Sequence, residues 1–114
     1  MREGTEKFLV EVESLVENKT TSPEQIMFLG VVLQAMLDAT KPENNRESIE
    51  SKIARDAAKA WFFASVGVTA EDFSTVCDIA GVDADYVRSF AFKVLKSKEI
   101  KYVRRRINAV LTFD

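Results

Sequence analysis

Histidine is absent from this sequence, and cysteine occurs only once, at Cys77. Histidine is the commonest general base and metal ligand in proteins, and a single cysteine cannot form an intramolecular disulfide. No glycine-rich loop that could hold a phosphate is present, and the acidic group Asp83–Asp85 is too short for a calcium loop. These absences predict a protein that is not an enzyme and that uses no metal and no other cofactor.

Glycine and proline are scarce, with four and two residues, which favours long helices and few turns. The apolar and charged fractions, 46% and 30%, are those of a globular chain, and 114 residues suffice for one domain. The longest apolar run, Ile26–Leu33, is far shorter than the ~20 residues of a membrane span, and the chain opens without a signal-like segment. We therefore expect an all-α, soluble, cytoplasmic protein with five or six helices in one compact domain, residues 1–114, and no membrane contact.

Residues 1–40 predict a pair of acidic and apolar helices. The second begins at Ser22 and Pro23, with Gln25 completing a capping box. Most of the later residues in this helix are apolar, which is typical of a buried core helix or of a subunit interface, and both interpretations remain open. Gly30 interrupts the apolar run, and a close helix crossing is one reason for a glycine there.

Residues 47–97 predict a helical core. The third helix covers about residues 47–65, and its apolar positions are expected to face inward. These positions are Ile49, Ile53, Ala57, Ala60, Trp61, Phe62, Phe63 and Ala64. Thr69 is expected to cap a short fourth helix, with Asp72 at the capping-box position.

The corner between the fourth and fifth helices meets the requirements of a helix-turn-helix at about residues 70–97. This motif needs a small residue on the first helix, a residue that tolerates the left-handed conformation in the turn, and an apolar residue directly after it. Buried apolar positions must also recur on the second helix. The residues that meet these requirements are Cys77, Gly81, Val82, Val87 and Phe90. Asp83 is expected to cap the fifth helix, which begins at Ala84.

Residues 73–94, about 22 of the 114, resemble the helix-turn-helix of phage and bacterial DNA-binding proteins. A wider pattern is similar to small phage or prophage helix-turn-helix proteins, which are mostly uncharacterised, some of them encoded near packaging genes. It consists of Arg55, Ala58, Trp61-Phe62, Phe73, Cys77 and Gly81-Val82-Asp83. The resemblance implies a non-enzymatic protein that binds double-stranded DNA, as a transcription regulator or in phage DNA packaging, in the cytoplasm of a bacterial host. We expect a homodimer, because a single module binds weakly and pairing two half-sites raises avidity.

The fifth helix would then be the recognition helix. Its outward positions are Asp85, Arg88, Ser89, Phe92, Lys93 and Lys96. Arg88 could fork onto a guanine, Ser89 could bond a base or a phosphate, and the two lysines would contact phosphates. Phe92 is expected to pack beneath the C-terminal segment or to contact a thymine methyl group.

Positive charge is concentrated towards the C-terminus. Residues 1–85 hold 8 Lys or Arg and 16 Asp or Glu, a net of −8, whereas residues 86–114 hold 8 and 2, a net of +6. The basic C-terminal segment, residues 98–114, is expected to be helical, although its pattern also fits a strand. Either its cations extend the DNA-contacting surface or the acidic helices neutralise them within the fold. These cations are Lys98, Lys101, Arg104, Arg105 and Arg106.

Acidic side chains at the start of the recognition helix oppose DNA binding. Phosphates would repel Asp83 and Asp85, although Asp83 can act as a helix cap and Asp85 could accept a hydrogen bond from a cytosine amine. The alternative function is a protein-protein interaction module, such as an inhibitor or an assembly adaptor, in which the corner is only structural. The sequence leaves both functions open.

Overall fold

The computed structural model describes the backbone of residues 2–112 and the side chains from Glu6 onward within that range. This part of the chain forms six helices and no strand, which confirms the all-α class. The helices are α1 (Arg2–Glu17), α2 (Pro23–Ala39), α3 (Ile49–Phe63), α4 (Val68–Ala80), α5 (Ala84–Leu95) and α6 (Ile100–Leu111). Of the C-terminal segment, residues 100–111 are helical, and residues 113–114 lie outside the described part of the chain. None of the described helices has the length and apolarity needed to cross a membrane.

The apolar helix α2 lies at the centre of the fold. The Ser22 hydroxyl caps the helix as predicted by accepting a hydrogen bond from the Gln25 backbone N–H at 3.1 Å, and Pro23 is the first helical residue. The predicted capping box does not close within the described residues, because the Gln25 amide lies next to Gly81 and not on the Ser22 backbone. The helix packs mainly against α4 and α3, and more lightly against α6. Its buried face includes Leu29, Val32, Leu33 and Met36. This packing supports the core-helix interpretation, although one side of α2 still exposes Met27 and Val31.

No helix crosses close to Gly30, so the reason suggested for that glycine is wrong. A Cβ atom added at Gly30 would meet nothing within 4 Å. The residue opens instead onto a shallow apolar cavity of about 140 Å³, lined by side chains of α1, α2 and α6 that include Val16, Leu33 and Val110.

Helix α3 buries only the second half of its predicted apolar positions: Phe62 is buried, and Trp61 and Phe63 pack against the core. Ile49 and Ile53 are 71% and 62% exposed, and Ala57 and Ala60 also face outward. The buried positions are Arg55, Ala58 and Phe62. Because the third helix has apolar residues on opposite sides, it can bury only one of them, and Phe62 packs with Trp61 against Phe73.

The inward face of α3 also accommodates a charge. The guanidinium of Arg55 pairs with the Glu47 carboxylate at 2.5 Å, and both side chains are less than a tenth exposed. The Arg55 hydrogen bond is the main reason that the pKa of Glu47 falls from 4.5 to about 2. This ion pair holds the end of the α2–α3 loop against α3.

The start of α4 also differs from the prediction. The helix begins at Val68 and its N-cap is Gly67, with φ +93° and no side-chain cap, so Thr69 lies inside the helix. Asp72 does not close a capping box, because its carboxylate accepts a hydrogen bond from Trp61 Nε1 at 2.7 Å. This contact ties α4 to the end of α3.

Candidate nucleic-acid interface

The corner between α4 and α5 is built by local backbone chemistry. Gly81 adopts φ +81°, and the N–H groups of Gly81 and Val82 donate to the carbonyls of Asp78 and Cys77 at 3.2 and 3.0 Å. These bonds satisfy carbonyls at the end of α4, and the left-handed residue there is most easily a glycine. A Cβ atom on Gly81 would also lie 2.3 Å from Nε2 of Gln25 in α2.

Asp83 caps α5 as predicted. Its Oδ1 accepts hydrogen bonds from the backbone N–H groups of Asp85 and Tyr86 at 2.9 and 3.4 Å. The acidic residue at the entry of α5 therefore has a structural role that is independent of any ligand.

The corner's apolar residues all lie inside the protein. Cys77, Val82, Val87 and Phe90 are buried, and Phe90 contacts the ring of Phe8 in α1 at 4.2 Å between centroids. Burial raises the pKa of the Cys77 thiol to about 12, so the sulfur stays protonated and serves as a small packing residue.

The side of α5 opposite this core is open to solvent. We call it the outer face of α5, and it consists of Asp85, Ser89, Phe92, Lys93 and Lys96. Phe92 is 52% exposed, its ring meets Phe63 of α3 edge-on at 6.4 Å, and Lys96 Nζ lies 4.3 Å from its centroid. Within the described residues Phe92 is half exposed and its ring neighbour belongs to α3, where the expectation had placed the C-terminal segment over it.

Arg88 does not belong to this open face. Its Nε donates to the backbone carbonyl of Phe62 at 2.8 Å, Nη1 pairs with Asp85 at 3.1 Å, and the guanidinium lies 5.0 Å from the Phe73 ring centroid. The Phe62 carbonyl lies in the last turn of α3, where no intrahelical donor is available. The structure therefore gives Arg88 the role of joining α5 to the end of α3, in place of the predicted guanine contact.

The three consecutive arginines of α6 lie in three different environments. Arg104 donates from Nη1 to the Leu37 carbonyl and to Thr40 Oγ1, at the C-terminal end of α2. Burial lowers the pKa of its guanidinium. Arg105 is exposed. Arg104 is therefore a structural residue, and the predicted DNA contact of this side chain is replaced by a contact with α2.

Arg106 lies between the first and last helices. It pairs with Glu6 and Glu13 of α1 at 2.8 Å in each case, and it also donates to the hydroxyl of Tyr102. The hydrogen bonds that it donates to Glu13 and Glu6 raise the pKa of Arg106. Part of the acidic N-terminal half thus neutralises part of the basic C-terminal half inside the fold. The opposed charges of the two segments were the sequence signal for this cluster, but its members could not be assigned by spacing.

The remaining cations gather around the junction of α5 and α6. We call this group the basic corner, and its members are Lys93, Lys96, Lys98, Lys101 and Arg105. All five side chains are exposed, and none takes part in the ion pairs recorded among residues 6–112. The structure thus keeps five of the eight cations after residue 85 available to an external anion, and directs Arg88, Arg104 and Arg106 to internal contacts.

No family model matches this chain, and no similar protein is found among the curated proteins or the solved structures.

Proposed function

We propose that this protein binds double-stranded DNA through the outer face of α5 and the basic corner. The observation that carries the proposal is the exposure of a helix face with two lysines, directly after a tight glycine turn and followed in the chain by three further exposed cations. An exposed helix of this kind fits the major groove, and ammonium groups at its end reach the phosphates on either side.

Phosphate contacts would supply most of the affinity. Ser89 is the uncharged polar side chain on the outer face that can reach base edges, since Arg88 is engaged with α3. Phe92 offers an apolar contact to a thymine methyl group. We therefore expect modest sequence preference and strong salt dependence, with log affinity falling by about 4 to 5 for each tenfold rise in salt if all five cations reach phosphates.

The proposal includes two further elements. We propose that two copies act together, because a single module of this size contacts only one half-site. We also propose that the protein works in the cytoplasm of a bacterial cell, as a transcription regulator or in phage DNA packaging, because both tasks use this machinery.

A protein-binding module is the second candidate function, and two exposed side chains favour it. The Asp85 side chain is 92% exposed at the start of α5, and Phe92 is half exposed two turns further on. An acidic group and an aromatic ring on one face would suit a partner with an apolar pocket rimmed by arginine.

Fluorescence anisotropy with a labelled duplex, measured over a salt series, separates the two functions. We expect binding that weakens steeply with salt, and a Lys93→Ala/Lys96→Ala double variant that binds more weakly and with a shallower salt slope. Lys19→Ala/Lys41→Ala is the matched control, because it removes two exposed lysines of the loops beside α2. If the folded wild type shows no binding at about 50 mM salt, the DNA proposal is wrong and the protein-binding function takes its place.

A further inference from the structure

Four side chains of the outer face of α5 form one row along the helix. They follow each other at spacings of four, three and four residues and so point in nearly the same direction: Asp85, Ser89, Phe92 and Lys96. We call them the α5 row, and it spans about 16 Å at a helical rise of about 1.5 Å per residue. The row runs from a carboxylate through a hydroxyl and an aromatic ring to an ammonium group. Its members therefore offer different chemistry to a ligand that lies along the helix.

The first member of the row is an exposed hydrogen-bond acceptor. The Asp85 side chain is 92% exposed, and its Oδ1 accepts a hydrogen bond from Nη1 of Arg88 at 3.1 Å. A carboxylate can accept about four hydrogen bonds, so this contact leaves most of its capacity for a ligand. An ionised carboxylate has no hydrogen to donate, so the ligand must supply a donor.

We propose that the α5 row selects duplexes in which a cytosine and a thymine lie about three base pairs apart. Asp85 accepts a hydrogen bond from the cytosine amine, and Phe92 contacts the thymine methyl group. This inference rests on the proposed DNA binding and states which sites that binding prefers.

Cytosine is the base that suits the Asp85 carboxylate. The donors in the major groove are the N4 amine of cytosine and the N6 amine of adenine. Adenine places the acceptor N7 beside its amine, and the N7 lone pair repels a carboxylate, whereas cytosine presents its amine without a neighbouring acceptor. The hydrogen-bonding groups of guanine and thymine in this groove are acceptors. A negatively charged acceptor therefore prefers cytosine to the other three bases.

The ring of Phe92 is the apolar member of the row. Lys96 Nζ lies 4.3 Å from its centroid, and the Phe63 ring meets it edge-on at 6.4 Å. Phe92 is 52% exposed despite these contacts, so part of its ring remains open to a ligand. The C5-methyl of thymine is the apolar group on the major-groove edges of the bases, and an aromatic side chain can select it there.

The distance between the two contacts sets the spacing of the two bases. Asp85 and Phe92 are seven residues apart, which is about 10 Å along the helix axis. Base pairs stack at about 3.4 Å, so a helix that lies along the groove brings the two side chains over bases about three pairs apart, on either strand. Ser89, between them, can bond to any base or to a phosphate and adds no selection. Lys96 at the other end of the row reaches a phosphate, so the carboxylate end is the one that lies away from the backbone.

Selection of bound duplexes from a random library, followed by anisotropy with the selected duplex, tests the role of Asp85. We expect the selected duplexes to share a cytosine and a thymine at this spacing. Replacing the cytosine pair should weaken binding of the wild type by about five- to tenfold, the lower end of the range for one base contact. Asp85→Asn should select adenine at the same position, because an amide accepts from N6 of adenine and donates to N7.

Asp83→Asn is the matched control for the charge. It removes a carboxylate two residues away, and asparagine caps a helix as well as aspartate does. Loss of either negative charge should tighten binding to every duplex, but only Asp85→Asn should change the preferred base. If Asp85→Asn still selects cytosine, or if Asp83→Asn also loses the preference for cytosine, the proposal is overturned.

Deoxyuridine tests the role of Phe92, because it differs from thymidine only by the methyl group. Placed at the selected thymine, it should weaken binding of the wild type by about three- to fourfold, the effect of burying one methyl group, and it should leave binding of Phe92→Ala unchanged. Deoxyuridine at a thymine outside the selected site is the control and should have no effect. Equal binding of the wild type to the thymine and deoxyuridine duplexes would overturn the thymine contact. Circular dichroism of each variant reports whether the helices are intact.

Failure of this inference and failure of DNA binding give different results. A wild type that binds duplexes with steep salt dependence but selects no base overturns the inference and leaves the proposed function standing. A folded wild type that binds no duplex at low salt removes both.

Discussion

The arginines and the lysines near the C-terminus carry the same charge but occupy different parts of the molecule. Arg88, Arg104 and Arg106 donate to carbonyls, a hydroxyl and carboxylates of other helices, whereas Lys93, Lys96, Lys98 and Lys101 are exposed. A guanidinium has five donors in a planar fork and is weakly hydrated, so it can satisfy several acceptors at a partly buried position. An ammonium is strongly hydrated and stays at the surface. The net charge of a segment therefore overstates the cations that it can offer to a polyanion.

The largest loss of stability should come from removing an internally bonded arginine of α6, compared with removing an exposed lysine of the same helix. Arg104→Met leaves the Leu37 carbonyl and Thr40 without their donor, and we expect the free energy of unfolding to fall by about 1 to 3 kcal/mol. Lys101→Met, at an exposed position of the same helix, should change it by less than about 0.5 kcal/mol. Urea denaturation compares the two variants, and equal losses of stability would contradict the difference between the internal Arg104 and the exposed Lys101.

Comparing Arg88 with Lys93 in α5 tests which of these cations stabilises the fold and which contacts DNA. Arg88→Met removes the donor to the Phe62 carbonyl, so we expect a loss of about 1 to 2 kcal/mol in stability and less than a twofold change in DNA affinity per folded molecule. Lys93→Met should leave stability unchanged and reduce the salt slope of binding by about 1. If Arg88→Met instead abolishes DNA binding while the fold is intact, Arg88 contacts the DNA directly.

A third arginine, Arg55, predicts a pH dependence. The pKa of Glu47 is lowered to about 2 from its ordinary 4.5, so the unfolded chain binds the proton more readily between these two values. The stability that this pair contributes is therefore present above about pH 4.5 and is lost as the pH falls towards 2.

Thermal melting across this pH range checks the prediction. As the pH falls, the melting temperature of the wild type should decrease more steeply than that of Glu47→Gln. The two plots of melting temperature against pH should converge at low pH. Glu50→Gln, at an exposed position in the first turn of α3, is the matched control and should follow the wild type. Parallel curves for wild type and Glu47→Gln would contradict the role of the pair.

The smallest expected effect on stability is at Gly30, an uncharged position where the helix surface leaves room for a side chain. Gly30→Ala should raise the free energy of unfolding by about 1 kcal/mol, because alanine favours the helix and its Cβ meets nothing within 4 Å. Gly67→Ala is the contrasting variant and should destabilise, since Gly67 has φ +93°. Chemical denaturation measures both, and a destabilising Gly30→Ala would mean that the backbone at this site needs glycine for another reason.

Local features of this fold could be predicted because they depend on residues within one helical turn. Ser22 caps α2, Asp83 caps α5 and Gly81 ends α4, each through hydrogen bonds to backbone groups a few positions away. The burial of Cys77 and Phe90 follows from the same spacing. The start of α4 was predicted wrongly because Thr69 and Asp72 match a capping box, whereas the Asp72 carboxylate accepts its hydrogen bond from Trp61, eleven residues earlier.

The site was only partly predictable for a related reason. The pattern of α5 identified which side chains point away from the core, and Ser89, Phe92, Lys93 and Lys96 do so. It could not show that Arg88 would reach the end of α3, because that acceptor is a backbone carbonyl 26 residues away. Every residue has a backbone carbonyl, so the sequence does not indicate which carbonyl will accept a hydrogen bond from a distant side chain.

By itself, the sequence determined the all-α class, the turn at Gly81 and the excess of positive charge after residue 85, since each depends on residue type and short-range spacing. Only the tertiary structure decided which face of α3 is buried and which cations remain exposed. Both outcomes depend on what the surrounding helices and the α2–α3 loop offer: aromatic rings for Phe62, carboxylates for Arg55 and Arg106, and carbonyls for Arg88 and Arg104. Two apolar sides on one helix are equivalent in the sequence until a second helix packs against one of them.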